Sequence, residues 1–196
     1  MDTTLIVDNF ITPETSFILR NVAEHAEYKT EHHDGFAYDG ISVIDNIEAM
    51  VDYSLIVAPL GMNPIPSLSY FYMAQLGHTT QSWIHSDNTV DQLASVLYLP
   101  PVSPCSPSGT MMLRHRATGL SGLPDVPVSE DVAQRLLAAH ESLDEWIVED
   151  TISEKTGRLL VYPTSRFHAR YPRFGFGSSP QTARIVLVSF FGEAGV

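Results

Sequence analysis

The chain has 196 residues, 44% of them apolar and 17% charged, with a net charge of −12. That length and balance suit one globular domain with a real core. The negative charge disfavours a phosphate backbone or an anionic membrane surface as a partner, and leaves small molecules or other proteins. Cys105 is the single cysteine, so an internal disulfide and a cysteine-rich metal site are both excluded. No apolar run approaches the roughly 18 residues of a membrane span. The opening MDTTLIVDNF lacks the basic and apolar segments of a signal peptide, so a cytoplasmic location is expected.

In chain order, Leu5-Ile6-Val7 reads as a short strand. Thr12-Pro13-Glu14 reads as a helix start, with Thr12 as cap and Pro13 in the first turn. Phe17, Ile18, Val22 and Ala26 supply that helix with an apolar stripe. Lys29 to Gly40 is polar and turn-like, and Asp45 to Leu60 is a candidate second helix ending before Gly61. After Pro66 the character changes to strands. These are Leu68 to Leu76, Ser82-Trp83-Ile84 leading into His85, Ala94 to Leu99 stopped by Pro100-Pro101, and Thr110 to Leu113 followed by a basic turn.

Ser129 to Val148 interrupts this rhythm. Val132, Leu136, Leu143, Trp146 and Ile147 fit a helical stripe behind a Ser129 cap. Strands resume at Arg158 to Tyr162 and at Arg184 to Phe191. The expectation is one domain, mainly β with flanking helices. Residues 1–66 form an N-terminal helical support, and residues 67–196 form a β core carrying a helical insertion over 129–150. Many short strands at this spacing suggest a sandwich or jelly roll.

The chemistry centres on His85-Ser86-Asp87, His168 and Arg184. Residues i and i+2 of a strand share a face, so His85 and Asp87 converge if their segment is extended. Two imidazoles and one carboxylate suit non-haem Fe(II) and leave coordination positions open. An Arg leading a late apolar strand can clamp a carboxylate. A second His-x-Asp triplet, His32-His33-Asp34, lies in a polar stretch and ranks lower. Arg114, His115 and Arg116 could meet an anionic substrate, or could be a solvated turn. The 129–150 helix could cover an active site or pack outside the core.

The order of these motifs resembles the Fe(II)/2-oxoglutarate-dependent dioxygenases, in particular their prolyl-hydroxylase-like branch. The matching residues are His85-Ser86-Asp87, Val96-Leu97-Tyr98-Leu99, Gly109-Thr110, Gly157-Arg158-Leu159-Leu160-Val161-Tyr162-Pro163 leading to Phe167-His168, and Arg184 to Ser189. The opening Val7-Asp8-Asn9-Phe10-Ile11 before Thr12-Pro13-Glu14 extends the resemblance over nearly the whole chain.

The resemblance implies a double-stranded β-helix. His85, Asp87 and His168 would hold Fe(II), and Arg184 would pair with the distal carboxylate of 2-oxoglutarate. Tyr98 and Gln75 would contact the same cosubstrate. Dioxygen would be consumed in C–H hydroxylation of a small-molecule or peptidyl substrate. Retention of Asp87 favours hydroxylation over halogenation. The chain departs from the pattern in the long segment around Gly175 to Pro180, and in having Val186 where relatives often carry Ser. A cupin-type metalloenzyme without 2-oxoglutarate and a non-catalytic barrel are the alternatives. Arg184 argues against the first, and the complete set of candidate ligands against the second.

Overall fold

A computed structural model describes residues 4–33, 36–56, 65–78, 82–88, 90–103 and 107–192. In chain order the strands are β1 (Leu5–Val7), β2 (Lys29–His33), β3 (Phe36–Val43), β4 (Leu68–Ala74), β5 (Leu93–Tyr98), β6 (Gly109–His115), β7 (Trp146–Ser153), β8 (Leu159–Pro163), β9 (His168–Tyr171) and β10 (Arg184–Phe191). The helices are α1 (Pro13–Glu24) and α2 (Glu130–Ala139). No helix among the described residues is long and apolar enough to cross a membrane.

The strands form two antiparallel sheets. The larger runs β1-β8-β5-β10-β4-β3-β2, and the smaller runs β7-β6-β9. Ala94, Val96, Tyr98, Leu160, Val186 and Val188 of the larger sheet pack against Met112 and Ile152 of the smaller. The other face of the larger sheet carries Leu97, Leu159 and Leu187 against Leu19 and Ala23 of α1. Behind the smaller sheet, Met111, Leu113 and Trp146 meet Leu136 and Ala139 of α2. The layers are therefore α1, large sheet, small sheet and α2, the double-stranded β-helix with outer helices. Strand β10 is buried at every position because both of its faces are covered. Its sequence accordingly reads as a continuous apolar run rather than an alternation.

Several local expectations need correction. Helix α1 starts as expected, with the Thr12 side chain accepting from Thr15 N–H, but its stripe faces outward. Phe17, Ile18 and Val22 are exposed, and Ser16, Leu19, Arg20 and Ala23 are buried. Arg20 shares the buried face with the core residues Leu19 and Ala23. Its guanidinium donates to the carbonyls of Leu99 and Ala183 at 2.7 and 3.0 Å, and to Glu24 Oε1 at 2.7 Å. These bonds anchor the helix to the chain ends of β5 and β10.

The Asp45–Leu60 helix is replaced, over its described part, by two short 3-10 turns, Ile47–Ala49 and Tyr53–Ile56. Asn46 sits at φ 55° in the left-handed region, and the Asp52 carboxylate accepts from Ser54 N–H. Both arrangements compete with a continuous helix.

The polar Lys29–Gly40 stretch forms the β2–β3 hairpin, which extends the large sheet. Residues 1–66 thus add strands as well as a helix. Likewise Trp146 and Ile147 begin β7 instead of prolonging the insertion helix. β2 and β7 are edge strands, where charged residues guard the open ladder and mask the strand signal. Asp34 of the rival triplet, and Cys105, lie outside the described residues.

Candidate metal centre and its cavity

His85 N–H donates to the His168 carbonyl at 3.1 Å, and His168 N–H donates back to the His85 carbonyl at 2.9 Å. This reciprocal pair sets the two residues opposite each other, with ring centres 4.4 Å apart. Asp87 N–H donates to the Thr164 carbonyl at 2.7 Å, which keeps the segment alongside the β8–β9 connection. Asp87 consequently points back at both rings. Its Oδ1 lies 3.5 Å from His85 Nε2, and its Oδ2 lies 3.5 Å from His168 Nε2. One ligand atom from each residue falls within 4.8 Å of the others.

Both imidazoles are oriented by the chain immediately before them. His85 Nδ1 faces the Trp83 carbonyl at 3.3 Å, and His168 Nδ1 faces the Arg166 carbonyl at 3.0 Å. A hydrogen on Nδ1 leaves the Nε2 lone pair of each ring directed at Asp87, the arrangement by which outer partners prepare metal-binding histidines. Tyr162 Oη lies 3.1 Å from His168 Nε2, the nitrogen that also faces Asp87. Burial, reinforced by the nearby His85, lowers the pKa of His168 to about 4, and Asp87 opposes the shift. The ring is thereby neutral near pH 7, as a ligand must be. Two imidazoles and one carboxylate form a donor set that fits Fe(II).

The triad borders a cavity of about 100 Å³ between the two sheets. Arg184, 2% exposed, reaches it from β10, and Arg170 reaches it from β9. Arg184 donates to the Gly109 carbonyl at 3.3 Å, and its Nε is buried without a partner. Arg170 donates to Tyr72 Oη at 2.7 Å and to the His78 carbonyl at 3.2 Å, and its Nε is also unpartnered. Neither is ion-paired with a carboxylate among the described residues. Burial lowers the Arg170 pKa, with Arg184 and Arg173 acting in the same direction. A buried guanidinium, Arg184, and a half-buried one, Arg170, share the cavity without a carboxylate partner among the described residues, and a charge so placed is costly unless an anion joins it.

Of the eight residues singled out in the sequence, His85, Asp87, His168 and Arg184 converge on this cavity. The other four do not. Tyr98 points into the barrel, but its hydroxyl donates to Thr110 Oγ1 at 2.8 Å, and Thr110 is the one that lines the cavity. Gln75 follows β4 in the parity of Phe71 and Met73, which pack on the opposite face from Tyr70 and Tyr72. Its side-chain amide contacts Met73 Sδ at 3.8 Å.

Arg114 is ion-paired with Glu149 at 2.8 Å, and Arg116 donates to the Asp144 carbonyl at 2.9 Å. His115 is buried against Trp146, so the three never form a cationic patch. Arg170 was missed, although its place two residues after His168, on the same face of a strand, was a readable signal. It escaped because the short strand β9 was not expected.

A larger chamber of about 650 Å³ adjoins the triad and shares Tyr70, His85 and Asp87 with the smaller cavity. Helix α2 forms one wall through Ala133, Leu136 and Leu137. The inserted helix therefore lines the chamber beside the triad as well as packing on the small sheet.

No protein-family model and no curated protein matches this sequence. Solved structures do match its fold. HygX from Streptomyces hygroscopicus, with nickel and 2-oxoglutarate bound, is 11% identical over 98% of this chain and 84% of its own, with a TM-score of 0.60. HygX with hygromycin B also bound aligns at a TM-score of 0.55. A Pseudomonas putida prolyl-4-hydroxylase is 15% identical over 100% of this chain and 95% of its own, with a TM-score of 0.56. The epimerase SnoN, in complex with Fe3+, alpha-ketoglutarate and nogalamycin RO, is 12% identical over 98% of this chain and 80% of its own, with a TM-score of 0.51. The two antiparallel sheets thus share the double-stranded β-helix fold of these solved structures.

Proposed function

We propose that this protein is a non-haem Fe(II)- and 2-oxoglutarate-dependent oxygenase that hydroxylates a C–H bond of a small-molecule or peptidyl substrate. One observation carries the reading. The His85–Asp87–His168 cluster opens onto a cavity walled by buried Arg184 and half-buried Arg170, neither paired with a carboxylate among the described residues. A metal-ligand set and an anion receptor in one small cavity match the two ends of a chelating keto-acid dianion.

His85 Nε2, one oxygen of Asp87 and His168 Nε2 are the groups that hold the ion. When bound, Fe(II) with 2-oxoglutarate and dioxygen supplies oxidation of a C–H bond, with succinate and carbon dioxide as co-products. Arg184 pairs with the distal carboxylate of the cosubstrate, and Arg170 adds a second positive charge from the facing sheet. Val186, on the same face as Arg184, brings no hydroxyl, and the Thr110 and Tyr72 hydroxyls at the cavity wall take that part. Trp83 and Arg166 act through their carbonyls, holding each imidazole in the ligand tautomer. The HygX and SnoN structures contain hygromycin B and nogalamycin RO, which supports a small molecule as substrate.

The test is spectroscopic. Anaerobic addition of Fe(II) and 2-oxoglutarate to the purified protein is expected to produce a weak visible charge-transfer band. Asp87→Ala is expected to abolish it. An intact protein without the band, or a variant that keeps it, overturns the assignment. Succinate release screened against candidate metabolites and peptides then identifies the substrate.

A further inference from the structure

We propose that the 650 Å³ chamber beside the triad is the substrate site, and that it takes an uncharged, largely apolar small molecule rather than an anion. The inference rests on the oxygenase reading for the identity of the neighbouring centre, and goes beyond it in naming the ligand's chemistry.

Size is the first argument. Pockets for small organic ligands run from about 300 to 1,000 Å³, and this chamber falls within that range. Its walls are the second. Val43, Leu68, Leu123, Leu136, Leu137 and Phe190 supply much of the lining. Val43 and Leu137 are each 57% exposed although they face the chamber, so apolar surface stands in water where a ligand would cover it.

Charge is the third argument and the most discriminating. All eleven Lys and Arg residues of the chain lie among the described residues. Arg170 and Arg184 line the small cavity, and none of the eleven lines the chamber. The charged residues it does contain are acidic, Asp87 at the inner end and Glu31. Along the α2 and β4 walls, away from the triad, a carboxylate, sulfonate or phosphate would lose its hydration and meet no Lys or Arg side chain, which is unfavourable. The cavity system is thus divided at the triad into a half walled by two arginines and a largely apolar half without Lys or Arg. Arg114 and Arg116, the sequence's candidates for an anionic substrate, belong to neither half.

A matched pair of fluorescent probes tests this on the full chain without added metal or cosubstrate. N-phenyl-1-naphthylamine is uncharged, and 8-anilinonaphthalene-1-sulfonate adds a sulfonate to the same ring system. The neutral probe is expected to bind saturably, and the sulfonate at least about tenfold more weakly. Ala133→Trp fills the chamber and should remove neutral-probe binding. Leu137→Arg, at an exposed helix position, places a guanidinium at the chamber wall and should shift the preference toward the sulfonate by about tenfold.

Circular dichroism and thermal melting establish that both variants are folded. Absence of neutral-probe binding, equal or tighter binding of the sulfonate, or indifference to both substitutions overturns the proposal. The assay uses neither iron nor 2-oxoglutarate. Failure of the oxygenase reading would instead appear as a missing charge-transfer band in a protein that still binds the neutral probe.

Discussion

His85 and His168 are joined through their backbones before their side chains do anything. Each donates its N–H to the other's carbonyl, at 3.1 and 2.9 Å, and the rings stand on one side with centres 4.4 Å apart. The placement of the imidazoles therefore depends on the main chain and not on a bound ion. Alanine at His85 or His168 should leave the fold in place and cost metal affinity by at least about tenfold per lost ligand. Mn(II) titration followed by electron paramagnetic resonance reads the affinity, and thermal melting reads the fold. Unchanged affinity in both variants would remove the triad from consideration.

Arg184 and Arg170 approach one cavity from opposite sheets, each with an unpartnered Nε. Hydrogen bonds to charged groups contribute about 1.5–3 kcal/mol, so Arg184→Ala should weaken 2-oxoglutarate binding by about 10- to 150-fold. Arg170→Ala should weaken it less, because that guanidinium also supports Tyr72 and the His78 carbonyl. Calorimetric titration of the Mn(II)-loaded protein distinguishes the two. Equal wild-type affinity in both variants would place the anion site elsewhere.

Tyr98 is expected to be a structural residue. Its hydroxyl is spent on Thr110 Oγ1 inside the barrel, and burial raises its pKa. Tyr98→Phe should reduce stability by about 1 kcal/mol, the usual net worth of one hydrogen bond. Cosubstrate affinity should stay near wild type, since Thr110 remains at the cavity wall. A large loss of 2-oxoglutarate binding without loss of stability would restore Tyr98 as a direct contact.

Asp8, just after β1, receives hydrogen bonds from Arg158 at 2.6 Å and from Lys155 at 3.0 Å. The Arg158 and Lys155 bonds hold its carboxyl well below the usual carboxylate range. A depressed folded-state pKa contributes stability that is present above the unfolded value of about 3.9. That contribution is lost as pH falls from there through the folded value. Asp8→Asn should therefore melt below wild type near pH 7, with the gap narrowing in strong acid. Parallel melting curves over the acid range provide the check, and a pH-independent gap would contradict it.

The sequence by itself determined the β-rich class, the Thr12 helix cap, the core strands β5, β8 and β10, and the shared face of His85 and Asp87, while His168 and Arg184 were joined to them only through the family resemblance. These features are local, or depend on strand parity, and both survive in a linear reading. Buried strands appear as apolar runs, and residues two apart share a face whatever lies around them.

Tertiary structure alone decided the rest. Helix α1 buries Leu19 and Ala23 together with Arg20, which donates to carbonyls at distant strand ends, and so Phe17 and Ile18 face water. Edge strands β2 and β7 stayed hidden because their outer positions are charged. Gln75 fell on the wrong face by one residue of register, and Arg114 was claimed by Glu149 from the neighbouring strand. Arg170 joined the site only when β9 folded opposite β10. A charge's partner depends on what the fold brings beside it, and that information lies between segments rather than within any one of them.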